Sequence, residues 1–107
     1  MNDRELLEMA AKAAGIAWTE HNDEYGLVLS KANMGHELLI WNPLTDDGDA
    51  LRLAVNLSLH VKVCRRSTLV EKRELGDDVV EAHGSDANAA TRRAITRAAA
   101  EIGRSLP

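Results

Sequence analysis

Between residues 3 and 14, Leu6, Met9, Ala10 and Ala13 recur at helical spacing, with Asn2 or Asp3 placed to cap the first turn and Gly15 to stop the last. The pattern predicts a helix. Ile16 to Thr19 and Leu27 to Leu29 predict two short strands, separated by the polar run His21-Asn22-Asp23-Glu24 and by Gly26, which together predict a hairpin loop. Lys31 to Gly35 predicts a further loop. Glu37 to Trp41, with Leu38-Leu39-Ile40 at its centre, predicts a third strand.

The chain changes character at Trp41-Asn42-Pro43. Proline has no N–H for a ladder and pushes its predecessor out of helical geometry, so the strand must end there. Thr45 or Asp46 can cap the helix that follows, and Asp47 and Asp49 sit where its dipole favours negative charge. That helix runs from about Asp46 to Leu57, with Ala50, Leu53, Ala54 and Leu57 as its apolar stripe.

After Leu57 the period drops from 3.6 to 2. Leu59, Val61 and Val63 alternate with His60, Lys62 and Cys64, the signature of a strand with one apolar face. Arg65-Arg66-Ser67 predicts a turn, Thr68 to Arg73 a second strand, Glu74 to Asp77 a loop, and Asp78 to His83 a third strand. Gly84 and Ser85-Asp86 break the chain before a last helix that runs to about Ser105. That helix carries Thr91, Ile95, Ala98, Ala99 and Ile102 on one side and Arg93, Arg97 and Arg104 on the other. Its small residues predict close packing against a sheet.

The order is therefore α-β-β-(β)-α-β-β-β-α within a single domain, 1–107, since no linker divides it. Short connections between consecutive strands favour antiparallel pairing, and the helices must cover the apolar sheet faces. The expected fold is α+β, an α-β-α sandwich with a mainly antiparallel sheet. A sheet covered on both faces needs strands apolar on both sides. The alternation at Leu59 to Cys64 therefore places His60 and Lys62 near an edge or under an incomplete layer.

Composition narrows the function. A net charge of −4 argues against a general nucleic-acid coat. Cys64 is alone, which excludes an internal disulfide and a multi-cysteine zinc cage and fits a cytoplasmic protein. No apolar run approaches the ~20 residues of a membrane span, and the first residues do not read as a signal peptide. The aromatic residues are Trp18, Tyr25 and Trp41, few rings for stacking bases.

Three clusters invite chemistry. Asp46-Asp47-Gly48-Asp49 suggests a hard cation, but aligning Gly48 with the glycine of a helix-loop-helix calcium site puts Pro43 and Thr45 at ligand positions and Ala54 where glutamate belongs. Capping explains the aspartates better. His60 and Cys64 stand about 13 Å apart along a strand, too far to share one ion. No nucleophile, base and orienter assemble into a catalytic set, so no enzyme activity, cofactor or metal is expected. The third cluster is positive: Arg65, Arg66, Lys72 and Arg73 surround a hairpin, and Arg92, Arg93, Arg97 and Arg104 stud the last helix. From residue 46 onward the order α-β-β-β-α is similar to that of a double-stranded-RNA-binding domain. Where that family carries a lysine pair at the start of its last helix, this chain has Ser85-Asp86-Ala87-Asn88.

The residues Trp41-Asn42-Pro43-Leu44-Thr45-Asp46-Asp47-Gly48-Asp49-Ala50-Leu51-Arg52-Leu53-Ala54-Val55, with Ala90-Thr91-Arg92-Arg93-Ala94-Ile95-Thr96-Arg97-Ala98-Ala99-Ala100-Glu101-Ile102 some forty positions on, resemble the small phage and prophage proteins of the phage ABA sandwich domain family. The resemblance implies an α-β-α sandwich encoded by a phage or prophage and names no chemistry. The expected role is a cytoplasmic, non-enzymatic interaction module whose partner is a host or phage protein. Trp41, Asp46, Asp47, Asp49, Arg93 and Arg97 are its candidate contact surface. The alternative is a nucleic-acid-associated protein using Arg65, Arg66 and the arginine face of the last helix.

Overall fold

The structure is a computed structural model that describes residues 1–29, 39–72 and 76–107. The elements follow the expected order: α1 (Asp3–Ala14), β1 (Trp18–Asn22), β2 (Gly26–Leu29), β3 (Ile40–Trp41), α2 (Asp47–Asn56), β4 (His60–Val63), β5 (Ser67–Glu71), β6 (Val79–Ala82) and α3 (Ala87–Ser105). The fold is α+β with all pairing antiparallel, and the strands divide into two sheets, β1-β2-β3 and β4-β5-β6. The expected loop at Lys31 to Gly35 lies outside the described residues, as do Glu37 and Leu38 of the third strand and Arg73, Glu74 and Leu75.

Local chemistry sets the boundaries. The Asn2 side chain accepts from the Glu5 N–H, and Gly15 turns left-handed (φ 71°) so that its N–H and that of Ile16 donate back to Lys12 and Ala11. Ile16 is thus spent on ending α1, and the first strand begins at Trp18 instead. His21 and Asn22, expected in the loop, extend that strand. The turn is tighter than expected because the Asn22 carboxamide accepts from the N–H groups of both Glu24 and Tyr25. Gly26 then closes the hairpin at φ 108°, where a Cβ would meet the Trp41 carbonyl at 2.7 Å.

The centre of the fold is α3. It packs on β5 and β6, carries α1 on its other side and meets α2. Ala94, Ala98, Ala99 and Ala100 are fully buried. The small residues therefore serve helix-on-helix packing as well as the predicted packing on a sheet. At Gly103 the backbones of α3 and α1 come so close that an added Cβ would lie 1.9 Å from the Met9 carbonyl oxygen. One core joins both sheets, from Leu7, Ala10 and Leu27 through Trp41 and Leu53 to Val70, Val79 and Ile95. Burial of such aliphatic side chains, at roughly 25 cal/mol per Å² of apolar surface, is the main force holding the sheets to the helices.

Candidate functional site

The stretch from Trp41 to Asp49 is a stitched junction. Trp41, expected on the contact surface, is instead only 6 % exposed, because its side chain belongs to the core that it shares with Leu27 of β2, Leu7 and Ala10 of α1 and Leu53 of α2. Asp46 caps α2, its carboxylate accepting from the Asp49 N–H at 2.8 Å. Asp49 accepts from the Asn42 N–H at 2.9 Å and from Arg52 at 2.7 Å. Asp47 accepts from Arg92 of α3 at 2.7 Å, and the same guanidinium donates to the Leu44 carbonyl. All three aspartates are thus engaged within the chain.

The arginine face is similarly occupied. Arg93 pairs with Asp3 and Glu81, and Arg97 pairs with Glu81. Arg65 and Arg66, in the β4–β5 turn, are exposed and make no ion pair among the described residues. Of the six candidates, Trp41 is buried and the five charged residues are each engaged by a partner within the chain.

His60 and Cys64 also stay apart. His60 lies 3.3 Å from Glu71, and Cys64 is an exposed free thiol. Among the described residues, no group of three or more His, Cys, Asp or Glu side chains converges as a metal site would require. No helix among them is long and apolar enough to cross a membrane.

Packing leaves a different site uncovered. α3 covers β5 and β6, and α2 leans on α3. The helix-side face of β4 is left open above Val61 and Val63. The result is an apolar groove of about 350 Å³ whose walls include Leu51 and Ala54 of α2, Val61 and Val63 of β4, and Thr91 and Ile95 of α3. Leu51 is 65 % exposed and Val63 62 % exposed, large apolar surfaces that folding leaves in water.

The groove opens onto a sheet edge that is free among the described residues. The Cys64 N–H donates to the Ser67 carbonyl at 2.9 Å, which fixes the alternation along β4. The backbone groups of His60 and Lys62 therefore face β5, and those of Val61 and Val63 face outward. Among the described residues nothing hydrogen-bonds to them. The opposite edge is partly engaged: on β6 the Val80 carbonyl, which faces outward, accepts from Arg97 at 3.3 Å. The first sheet protects β1 differently, with a register break between Trp18 and Glu20 and exposed polar residues at Thr19, Glu20 and Asn22.

A lysine on an edge strand ordinarily blunts it against pairing. Lys62 is held by Glu71 of β5 at 3.0 Å, and Glu71 also meets His60. The hydrogen bond and the charge of Lys62 hold the Glu71 carboxyl below its usual range, and the same partner raises the Lys62 ammonium. The lysine's charge is therefore answered within its own sheet.

A signal for this site exists in the sequence. Leu51 and Val55 are large apolar residues lying off the Ala50, Leu53, Ala54 and Leu57 stripe, and Leu59, Val61 and Val63 form an apolar row on a strand expected near an edge. A scan against models of protein families found no match, and neither did comparison with curated proteins or with solved structures.

Proposed function

We propose that this chain is a non-enzymatic protein-interaction module that receives an extended segment of a partner by strand addition at β4, and that it serves as an accessory protein of a phage or prophage. The observation that carries the binding mode is the continuity of the open β4 edge with the apolar groove beside it. Backbone groups of Val61 and Val63 supply hydrogen bonds, and the groove supplies pockets for alternate side chains, the division of labour that strand addition uses. The phage assignment rests on the resemblance of residues 41–55 and 90–102. The arginine face lends the nucleic-acid reading little support, because Arg93 and Arg97 already meet carboxylates and the net charge is −4.

The test is selection from a displayed library of random extended peptides. Peptides with apolar residues at alternate positions should bind, shift the amide resonances of Val61 and Val63, and lose binding to a Val63→Asp variant. Selected peptides that bind Val63→Asp as well as the original chain would sink the proposal.

A further inference from the structure

Resting on strand addition at β4, we infer that the segment received is β4 of a second copy, running antiparallel about a two-fold axis at Val61. The pattern of the strand is self-complementary. Residues 59–63 read Leu-His-Val-Lys-Val, so reversal about Val61 sets apolar against apolar and polar against polar. On the groove side Val61 meets its own copy and Leu59 meets Val63. On the other side His60 meets Lys62, with a Glu71 carboxylate from each copy within 3.3 Å of its own His60 and 3.0 Å of its own Lys62 to answer the ammonium.

The backbone fits the same axis. Val61 faces outward, so the two Val61 residues can exchange N–H and carbonyl bonds, and each Val63 N–H can donate to the partner copy's residue 59 carbonyl. The Leu59 N–H is already given to the Ala54 carbonyl at 2.9 Å, which ends the ladder there. Leu51 of α2, 65 % exposed, lines the same groove as Val61 and Val63, so a strand joined at β4 lies beside it.

The full chain should be examined by sedimentation equilibrium over a wide concentration range, with amide exchange of Val61 and Val63 read in parallel. A concentration-dependent dimer is expected, with both amides slowing as it forms. Val63→Asp and, separately, Leu51→Asp should each raise the dissociation constant by at least about tenfold, because each sets an unpaired carboxylate in a dry interface. Both positions are exposed in the single chain, so circular dichroism should show the fold unchanged. A dimer that both variants leave intact overturns the inference, as does a chain that stays monomeric at millimolar concentration. In the monomeric case the acetylated peptide Leu-His-Val-Lys-Val and the library-selected peptides separate the two levels. Protection of Val61 and Val63 by a selected peptide keeps strand addition and rejects self-pairing, and absence of protection by any of them rejects both.

Discussion

Adding one methyl group at Gly103 tests how the core is built. The ideal Cβ at this position lies 1.9 Å from the Met9 carbonyl oxygen and 2.8 Å from its carbonyl carbon, both backbone atoms of α1. No rotamer change can clear them, so α1 and α3 must separate by more than an ångström. The separation loosens the contacts of Ala10, Ala11, Ala98 and Ala99, all fully buried, and forfeits much of their dispersion energy. Overpacking of this kind costs about 1–3 kcal/mol, and a backbone clash belongs at the upper end. Alanine returns about 1 kcal/mol through its better helix propensity. The net expectation for Gly103→Ala is a loss of about 2 kcal/mol, which in a chain of this size lowers Tm by roughly 8–16 °C. Urea and thermal denaturation followed by circular dichroism measure it. Gly48→Ala is the paired control, because there the Cβ meets only side-chain ends, the Arg52 guanidinium at 3.1 Å and the Asp46 carboxylate at 3.2 Å, so the gain in helix propensity is offset by a small shift of the cap and the variant should stay within about 1 kcal/mol of the original. A Gly103→Ala protein as stable as the original would refute the close helix crossing.

Further outcomes follow from the side-chain contacts. Asp49→Ala strands the Asn42 N–H and frees Arg52, costing about 1–3 kcal/mol by denaturant titration, whereas Asp46→Ala removes a cap alone and costs about 1 kcal/mol. Thr68→Val keeps the volume of a fully buried side chain but removes a hydroxyl within 2.8 Å of His83 and 2.7 Å of Thr91, so about 1–2 kcal/mol should be lost. Lys72 is 5 % exposed and paired with Glu101, which is 42 % exposed. Glu101→Gln should therefore cost about 2 kcal/mol, less than a fully buried pair because water screens the site, and Lys72→Met should be near neutral in the same assay. Lys62→Met should raise the Glu71 pKa toward its usual 4.5 in an NMR titration. With the pair intact, Glu71 contributes stability above pH 4.5 that is lost as pH falls through its lowered folded value, and Lys62 contributes below 10.5 what is lost as pH rises through its raised one.

The features legible in the sequence were those made by residues close along the chain. Asn2, Gly15 and Asp46 end or begin helices through contacts within four residues, so type and spacing place Gly15 and narrow the two caps to Asn2 or Asp3 and Thr45 or Asp46, while Asp86, expected only to break the chain, caps α3. The β1 boundaries slipped at both ends, because Ile16 donates to Ala11 in ending α1 and because the Asn22 carboxamide forms the turn at Glu24 and Tyr25, which lets the strand run on from Thr19 to Asn22. Partnerships across the fold were not legible. Arg92 with Asp47 and Leu44, Arg93 with Asp3, and Lys72 with Glu101 join residues 29 or more positions apart. For the same reason the arginines of α3 and the aspartates of α2 suggested a contact surface, whereas Arg93 and Arg97 meet Asp3 and Glu81, and Asp47 meets Arg92. The groove is a shortfall in coverage by α2 and α3 over β4, and a one-dimensional pattern carries only its trace, the apolar residues left over once each stripe is assigned.

The Arg97 hydrogen bond to Val80 bears on how the second sheet can extend. A sheet with two open edges can add strands at both and grow without end, which is how edge-to-edge aggregation and fibres arise. Here a guanidinium from α3 occupies one of the outward carbonyls of β6, that of Val80, whereas those of Val61 and Val63 on β4 have no partner among the described residues. A strand adding at β6 would first have to displace Arg97, and one adding at β4 would displace nothing. The last helix thereby biases the sheet toward growth at one edge.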